Sequence, residues 1–400
     1  MATKRGFLAW RAFSRSKEAT FDTAATIDST ENHLGSDPIA LSLDLVPDTD
    51  VDGGYEDATR QDEIAKRVEG EHSQRLTPNA AGLFLAYAMG NVSTVANEPA
   101  ATFYTHTITP RPKTFASGVT ALDISPITVD DTQGFPATGK LFFESDAVEV
   151  SYTSKTATTF VVGAHRATVD NEAISLKDVE VLHTLPSMTV LEEIGLSSKY
   201  QYTGVVVSRV EIEAARKQFA RITATLMGSG TRTTQSTARP SILTAEPILK
   251  AGDATVLTGG TWDGRTYTGG ANINTVIRSF RWAVINDIEE DDGYLFNGGF
   301  VRGRAERIRR SQEFSISLEL HDNTYLNNLV NSDNVVLRVH FDATSSYALT
   351  LIFPRLRFRA VPMSGGVVVL VTDSDMSVLQ HGNTGSVHVD VINLQDGYVY

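Results

Sequence analysis

The residue groupings with catalytic or ligand-binding spacing are few, and each fails at one position. Gly134 and Gly139 stand five apart and are followed by Lys140, the spacing of a loop that cradles phosphates. That chemistry needs a serine or threonine next, to hold magnesium, and a helix whose first amides face the phosphates. Here Leu141 follows, and LFFESDAVEVSY alternates as a strand. Asp48, Asp50, Asp52 and Gly53 begin as a calcium loop begins, but Thr59 occupies the twelfth position, where a bidentate glutamate belongs, so the run reads as a solvated acidic turn. None of the nine histidines falls in an HExxH or His-x-His arrangement, and there is no GxSxG elbow. The absence of cysteine excludes thiolate metal sites, cysteine nucleophiles and disulfides. The expectation is a protein without metal, cofactor or catalytic residues.

Two charged runs remain. Asp287, Glu289, Glu290, Asp291 and Asp292 lie before the aromatic, glycine-rich GYLFNGG, and Arg302, Arg304, Arg307, Arg309 and Arg310 lie after it. On a long hairpin they are either solvated arms or a projecting loop that pairs with a neighbouring subunit, where opposite charges brought head to tail fix register and orientation. The second reading makes these residues, together with Trp10, candidate contacts between stacked subunits. It predicts that reversing Arg307, Arg309 and Arg310 to glutamate blocks stacking without unfolding the protomer.

The elements that position such a loop are mostly strands. Val210 and Ile212 alternate with Arg209, Glu211 and Glu213; Ile222, Ala224 and Leu226 alternate with Arg221, Thr223 and Thr225; the two runs predict a hairpin across AARKQ. The same period of two covers Phe314 to Leu320 and Val335 to Phe341, and it sets Leu356 and Phe358 against a row of Arg355, Arg357 and Arg359. Helix signals are few. Thr77 as N-cap, Pro78 in the first turn, an apolar body to Met89 and Gly90 as terminator predict one helix. A shorter one is expected after Asp322, with Tyr325, Leu326, Leu329 and Val330 on its apolar side.

Two stretches run through the same order of elements at an offset of about 240 residues: a strand, an acidic loop with Gly and Tyr (Gly54 and Tyr55; Gly293 and Tyr294), a basic stretch and a helix. This reads as a duplicated β domain. Between Lys113 and Leu182 lies a segment with its own strands and turns, read as an inserted module. The expected organisation is an N-terminal arm at 1–36, a first domain at 37–113 and 183–235, the insert at 114–182 and a second domain at 236–400. The fold class is mainly β, sandwich or barrel, with short helices.

A length of 400 residues suits two or three such units, and the net charge of −13 argues against a surface that grips the phosphate backbone over much of its area. No apolar run approaches the roughly 20 residues of a membrane-spanning helix. The first residues lack the sustained apolar core of a signal peptide, so the chain reads as soluble and unprocessed.

In their order along the chain, several segments resemble tail tube proteins of long-tailed bacteriophages. They are SRSKEATFDTAATI near the start, HTITP from His106, LPSMTVLEEIG from Leu185, YTGVVVSRVEIEA from Tyr202, LMGSG ending at Gly230, SFRWAVINDIEEDDGY, and RRSQEFSISLELHD. The insert, with its GFPxxGxLxx opening, is similar to a small β motif of phage tail and fibre proteins, with Ala167 where a glycine usually follows the closing Arg166. The resemblance implies a β-sandwich or open-barrel subunit whose strands join those of neighbours into rings, trimeric for duplicated members and hexameric for single-domain ones. The rings stack as a tube that conducts double-stranded DNA. It implies tail terminator, tape-measure and distal-tail proteins as partners, no membrane, assembly in the host cytoplasm and a place in the virion. An acidic lumen that repels the DNA backbone is the expected mode of conduction. The rival expectations are another tail component, such as a terminator, distal-tail or fibre protein, and a carbohydrate-binding β protein.

Overall fold

The computed structural model describes residues 8–31, 37–47, 61–97, 103–110, 112–122, 124–132, 135–163, 165, 167–177, 184–195, 198–236, 238, 246–289, 293–294, 300–320, 327–328, 330–365, 370–381 and 385–399. In chain order the elements begin with β1 (Leu8–Phe13), β2 (Ser29–Glu31), β3 (Ala40–Pro47), β4 (Gln61–Arg75), α1 (Pro78–Met89), β5 (Asn91–Ala96) and β6 (Tyr104–Thr109). A group of short strands follows: β7 (Lys113–Phe115), β8 (Ile127–Thr128), β9 (Gly139–Phe143), β10 (Val148–Lys155), β11 (Thr159–Val162) and β12 (Ala173–Leu176). Then come β13 (Met188–Ile194), β14 (Ser198–Ala215), β15 (Arg221–Gly228), β16 (Arg232–Thr234), β17 (Ala254–Thr258), β18 (Thr261–Trp262), β19 (Tyr267–Thr268) and β20 (Ala271–Asn272). The last are β21 (Ile277–Ile288), β22 (Arg307–Glu319), β23 (Val335–Thr344), β24 (Tyr347–Phe358), β25 (Met363–Gly365), β26 (Leu370–Val378) and β27 (His388–Asn393).

The protein is mainly β, and antiparallel pairing organises it. One ladder runs β3, β4, β15, β14, β21, β22, β26, β25. A second runs β5, β6, β27, β24, β23, β17, β20. The long β14 belongs to two neighbourhoods: its first half pairs with β13, which continues to β1 and β2, and its second half pairs with β15 and β21. The alternation seen in the sequence is the alternation of burial. Ile222, Ala224 and Leu226 are buried while Arg221 is exposed, and the predicted hairpin forms with Glu213 opposite Arg221.

The two ladders are joined by the pairing of β24 with β26, from Leu356 opposite Val378 to Phe358 opposite Met376, and aromatic side chains pack between them. Trp282 of β21 meets Phe353 of β24 edge-on at 5.3 Å, and Phe353 meets Phe314 of β22 at 4.8 Å. α1 touches strands of both ladders, and every one of its residues is buried, which is why it is apolar on all sides. Its ends match the sequence signals: Thr77 accepts from the Ala80 amide, and Gly90, at φ 81, returns its N–H to the Ala86 carbonyl. The expected second helix fares differently. Asn327, Asn328 and Val330 are helical, but Val330 is 74% exposed, so it does not line a packed apolar side; Tyr325, Leu326 and Leu329 lie outside the described residues.

Strands β7 to β12 form a separate sheet in the order β7, β12, β9, β10, β11, β8, with its own core that includes Ile127, Phe143, Tyr152, Phe160 and Ile174. Lys140 and Leu141 sit in β9 of that sheet, not at a helix start, so the phosphate-loop spacing has no phosphate-loop geometry; Gly134 lies outside the described residues, as do 48–60. Lys113 and Glu144 form a buried ion pair at 2.9 Å where the sheet meets the body. Lys113 also donates to the Gly264 carbonyl, and the Arg265 guanidinium lies 4.2 Å from the Phe115 ring centre.

The seam between β6 and β27 contains a buried histidine. His106 Nε2 bonds Asn393 Oδ1 and Nδ1 bonds Thr94 Oγ1, each at 3.0 Å, and burial pushes its pKa down to about 4 despite the Asn393 bond, with Asp396 and Arg15 as the nearby charges. A depressed histidine contributes stability above its unfolded pKa of about 6.5 and loses it as pH falls towards 4, by about 3 kcal/mol in all. Urea unfolding at pH 7.5 and 4.5 should therefore show a steeper acid loss in the natural chain than in His106→Gln; equal slopes would rule His106 out.

Candidate assembly interface

The β21–β22 hairpin carries the charged runs, and the structure divides their residues between solvent and interior. Facing the outside, Asp287 and Arg309 are register partners whose side chains form an ion pair, and Arg304 pairs with Glu306 at 3.3 Å. Glu289 is tied through its backbone to the Glu306 carbonyl. Glu290, Asp291 and Asp292 lie outside the described residues. Arg302 is buried: its NH1 lies 2.9 Å from Met227 Sδ, its amide donates to the Ser229 carbonyl, and its guanidinium lies 5.7 Å from the Tyr294 ring centre. Tyr294 in turn donates to the Lys66 carbonyl, so the base of this hairpin is folded onto β4 and β15.

Arg310 faces inward. It has the parity of Gln312 and Phe314, opposite Asn286 in register, and its guanidinium donates to the carbonyls of Ala88 (3.0 Å), Met89 (2.8 Å) and Pro110 (3.2 Å) and to Asn286 Oδ1 (3.1 Å). Asn286 Nδ2 shares the Ala88 carbonyl and reaches Val207. Together they satisfy the last turn of α1, where unpaired carbonyls and the negative end of the helix dipole favour a cation. Burial, then the nearby Arg307 charge, pushes the Arg310 pKa down to about 9, which leaves it charged at neutral pH. Arg307 is partly buried and its pKa is likewise lowered by burial.

Trp10 is part of this chain's own core, 7% exposed, and its indole N–H donates to Glu193 on the paired strand β13. The residues around it show how the N-terminal segment is held. Arg11 and Glu192, both fully buried, pair at 3.1 Å, and Glu192 also accepts from the Ile39 amide and the Tyr202 hydroxyl. Glu18 accepts from Ser187, Thr189 and the amides of Asp22 and Gly204; burial raises its pKa against these bonds. The Gly204 amide can serve because φ is +61, a conformation that favours glycine, and a side chain there would meet Ser229. Asp22 accepts from the hydroxyls of Thr203, Ser229 and Thr231. None of these acids stood out in the sequence, because their partners lie far away along the chain.

Sequence reasoning also passed over the edges of the first ladder. Among the described residues β3 pairs only with β4, and the three-residue β25 only with β26, whose other end pairs with β24, so β3 and β25 present unpaired backbone. Both are apolar as well as open. Leu43, Leu45, Val46 and the facing Ile64 are 45 to 53% exposed, as are Met363 at 51% and Leu370 at 43% at the other edge. Two dissimilar sticky edges on one sheet suit a heterologous, head-to-tail contact between copies.

A family model described as phage tail tube protein matches residues 11–377. The chain belongs to the phage tail tube protein family. No curated protein matches it. Membership makes it a structural protein of the phage tail and a component of the virion, with a non-enzymatic role and self-assembly into a tube. Among the described residues no helix is long and apolar enough to cross a membrane. For a tail tube subunit the open edges of the first ladder are the natural place to look for the contacts that build the tube.

Proposed function

We propose that this tail tube protein closes into trimeric rings through its two open edges, and that the rings stack into the conduit for DNA ejection. One observation carries the reading: the junction between β14 and β21, from Arg209 opposite Ile285 to Ala215 opposite Ser279. On its left stand β3, β4, β15 and β14; on its right β21, β22 and β26 repeat the order of a long hairpin followed by the strand beside its second arm. If 37–113 with 183–235 and 236–400 are two copies of one domain, this junction is the contact that a neighbour would repeat, joining β25 of one copy to β3 of the next. Closure then removes both edges.

The outer face of this ladder crosses both halves and carries charge of both signs. Glu211 bridges Arg209 and Arg281, and Arg359 lies beside Asp375 and Glu313. Of the arginine row, Arg359 thus lies among carboxylates, while Arg355 bonds Asn334 and the Gln380 carbonyl; a face of mixed sign suits a DNA path that attracts the phosphate backbone weakly. Asp287, Arg309, Arg304 and Glu306 stand at the projecting end as stacking contacts, with the tail terminator, tape-measure and distal-tail proteins as further partners. Assembly takes place in the host cytoplasm before incorporation in the virion. The test is electron microscopy of the purified chain: cylinders with threefold symmetry in cross-section are expected, and a monodisperse monomer at high concentration would refute the proposal.

The sheet of β7 to β12 belongs to neither edge, and we assign it to the outside of the tube. Lys113 and Ser175 are register partners, so the chain enters and leaves the sheet side by side, within the roughly 5 Å of paired strands. Excising 114–174 and joining these two residues should leave cylinders of reduced diameter; loss of cylinders with a folded protomer would place the module in the interface.

A further inference from the structure

A cavity of about 520 Å³ opens between the inserted sheet and the second ladder. Its floor is the face of that ladder turned away from the core. Val389, Val391, Leu349 and Leu351 point into the core, so Asp390, Ile392 and Thr350, which alternate with them, point out. The opposite wall brings Phe115 and Asp130 from the insert and Arg265 and Tyr267 from the β18–β19 hairpin. Such a volume at a junction of two units falls within the roughly 300–1,000 Å³ of small-molecule sites. The polar groups around it are not all satisfied. Arg265 Nη1, His388 Nδ1 and the indole nitrogen of Trp262, whose ring lies 4.8 Å from that of His388, are buried and have no hydrogen-bond partner among the described residues. Native interiors rarely leave such atoms unpaired, and three beside one cavity point to a polar guest. Arg338, half-buried on the floor, makes no hydrogen bond or ion pair among the described residues.

We propose that this cleft binds a neutral saccharide. The site lies within one protomer and stands apart from the tube reading. Charge balance excludes the common ionic guests: the guanidinium groups of Arg265 and Arg338 are matched by the carboxylates of Asp130 and Asp390, so neither a phosphate nor a bare cation meets an excess of opposite charge. What remains is a wall that mixes donors with acceptors. The guanidinium groups donate, the carboxylates accept, and Asn97 does both. A hydroxyl also does both, so a ring bearing several hydroxyls matches the whole set. The apolar C–H face of such a ring needs a flat partner, and Tyr267 supplies one: its hydroxyl donates to the Gly259 carbonyl at 2.7 Å, which holds the aromatic ring in place. Ile352 and Ile392 add apolar floor. The charged groups are also preorganised. Asp390 accepts from Thr107 at 2.8 Å and bonds His388 Nε2 at 3.0 Å, and Asp130 lies 3.6 Å from Arg265, whose guanidinium rests on the Phe115 ring.

The test is an array of neutral, acidic and phosphorylated oligosaccharides probed with the full-length chain. Retention on a neutral class is expected, with free monosaccharides of that class as competitors. Displacement by one of them shows that a single sugar unit fills the cleft, and displacement by longer fragments alone shows that it takes a segment of a polymer; either supports the site. Retention on acidic or phosphorylated saccharides alone, or on none, overturns the proposal. The two walls supply a second arm. Arg338→Ala on the floor and Asp130→Ala on the opposite wall should each weaken binding at least about tenfold, because only a guest in the cleft touches both. Arg338 has no partner to lose among the described residues, so its variant is expected to melt as the natural chain does. Binding unchanged in Arg338→Ala places the saccharide elsewhere and refutes the site.

Discussion

Arg310→Met is expected to destabilise the protomer by about 3 kcal/mol, while Arg309→Glu leaves its melting unchanged, although the two arginines are neighbours in one basic run. Removing the Arg310 guanidinium strips donors from the Ala88, Met89 and Pro110 carbonyls at the closed end of α1, and each buried carbonyl left unpaired costs about 1 to 3 kcal/mol. Methionine fills similar volume, so the loss reports hydrogen bonds and charge, with little contribution from packing. Asn286 retains its bond to Ala88, which limits the damage and predicts that Arg310→Met with Asn286→Ala is worse than either alone by a coupled amount. Arg309 is exposed, and its pairing with Asp287 is of the screened surface kind. The comparison is made by urea unfolding of the monomer. Equal midpoints for natural chain and Arg310→Met would show that α1 does not depend on this cap. The triple reversal of Arg307, Arg309 and Arg310 would accordingly unfold the core around α1, and stacking is better read from Arg304→Glu with Arg309→Glu.

That contrast also marks what was legible in the sequence. Strand periodicity located the long hairpins, and Thr77, Pro78 and Gly90 bounded α1, because these features depend on neighbours a few residues away. The inward turn of Arg310 was available in the same periodicity: extending the parity of Phe314 back through Gln312 reaches Arg310, and extending that of Phe280, Trp282 and Val284 forward reaches Asn286. Five arginines in nine residues read as a solvated arm, and composition hid the alternation. Glu18, Asp22 and Glu192 were illegible for a different reason. Their value lies in hydroxyls and amides brought from residues 187 to 231, and no local pattern encodes that meeting. The open edges were hidden because β3 alternates as a half-buried strand does, Leu41, Leu43 and Leu45 against Ser42 and Asp44, and such leucines are ordinarily assigned to a core, yet Leu43, Leu45 and Val46 are all exposed.

Those exposed leucines lead to the other large effect. Leu43→Lys with Leu45→Lys should abolish assembly and leave the protomer folded. In the monomer both side chains already contact water over nearly half their surface, so the change costs folding little. In a closed ring the same positions lie at the strand junction, where burying a leucine is worth about 1.5 to 3 kcal/mol in full and roughly half that for the part still exposed. Losing two such contributions and introducing lysines, which natural edges use to prevent pairing, weakens each junction by about 3 kcal/mol, or more than a hundredfold. Ring closure multiplies the penalty, because every subunit presents the altered edge once. Analytical ultracentrifugation should show a monomer with native circular dichroism at concentrations where the natural chain sediments as large particles. Met363→Lys on the opposite edge should act in the same direction. Mixing it with the β3 variant should yield only dimers, since each then retains one sound edge for the other. Cylinders from the doubly substituted β3 edge would move the ring contact away from this ladder and leave its exposed leucines without a role in assembly.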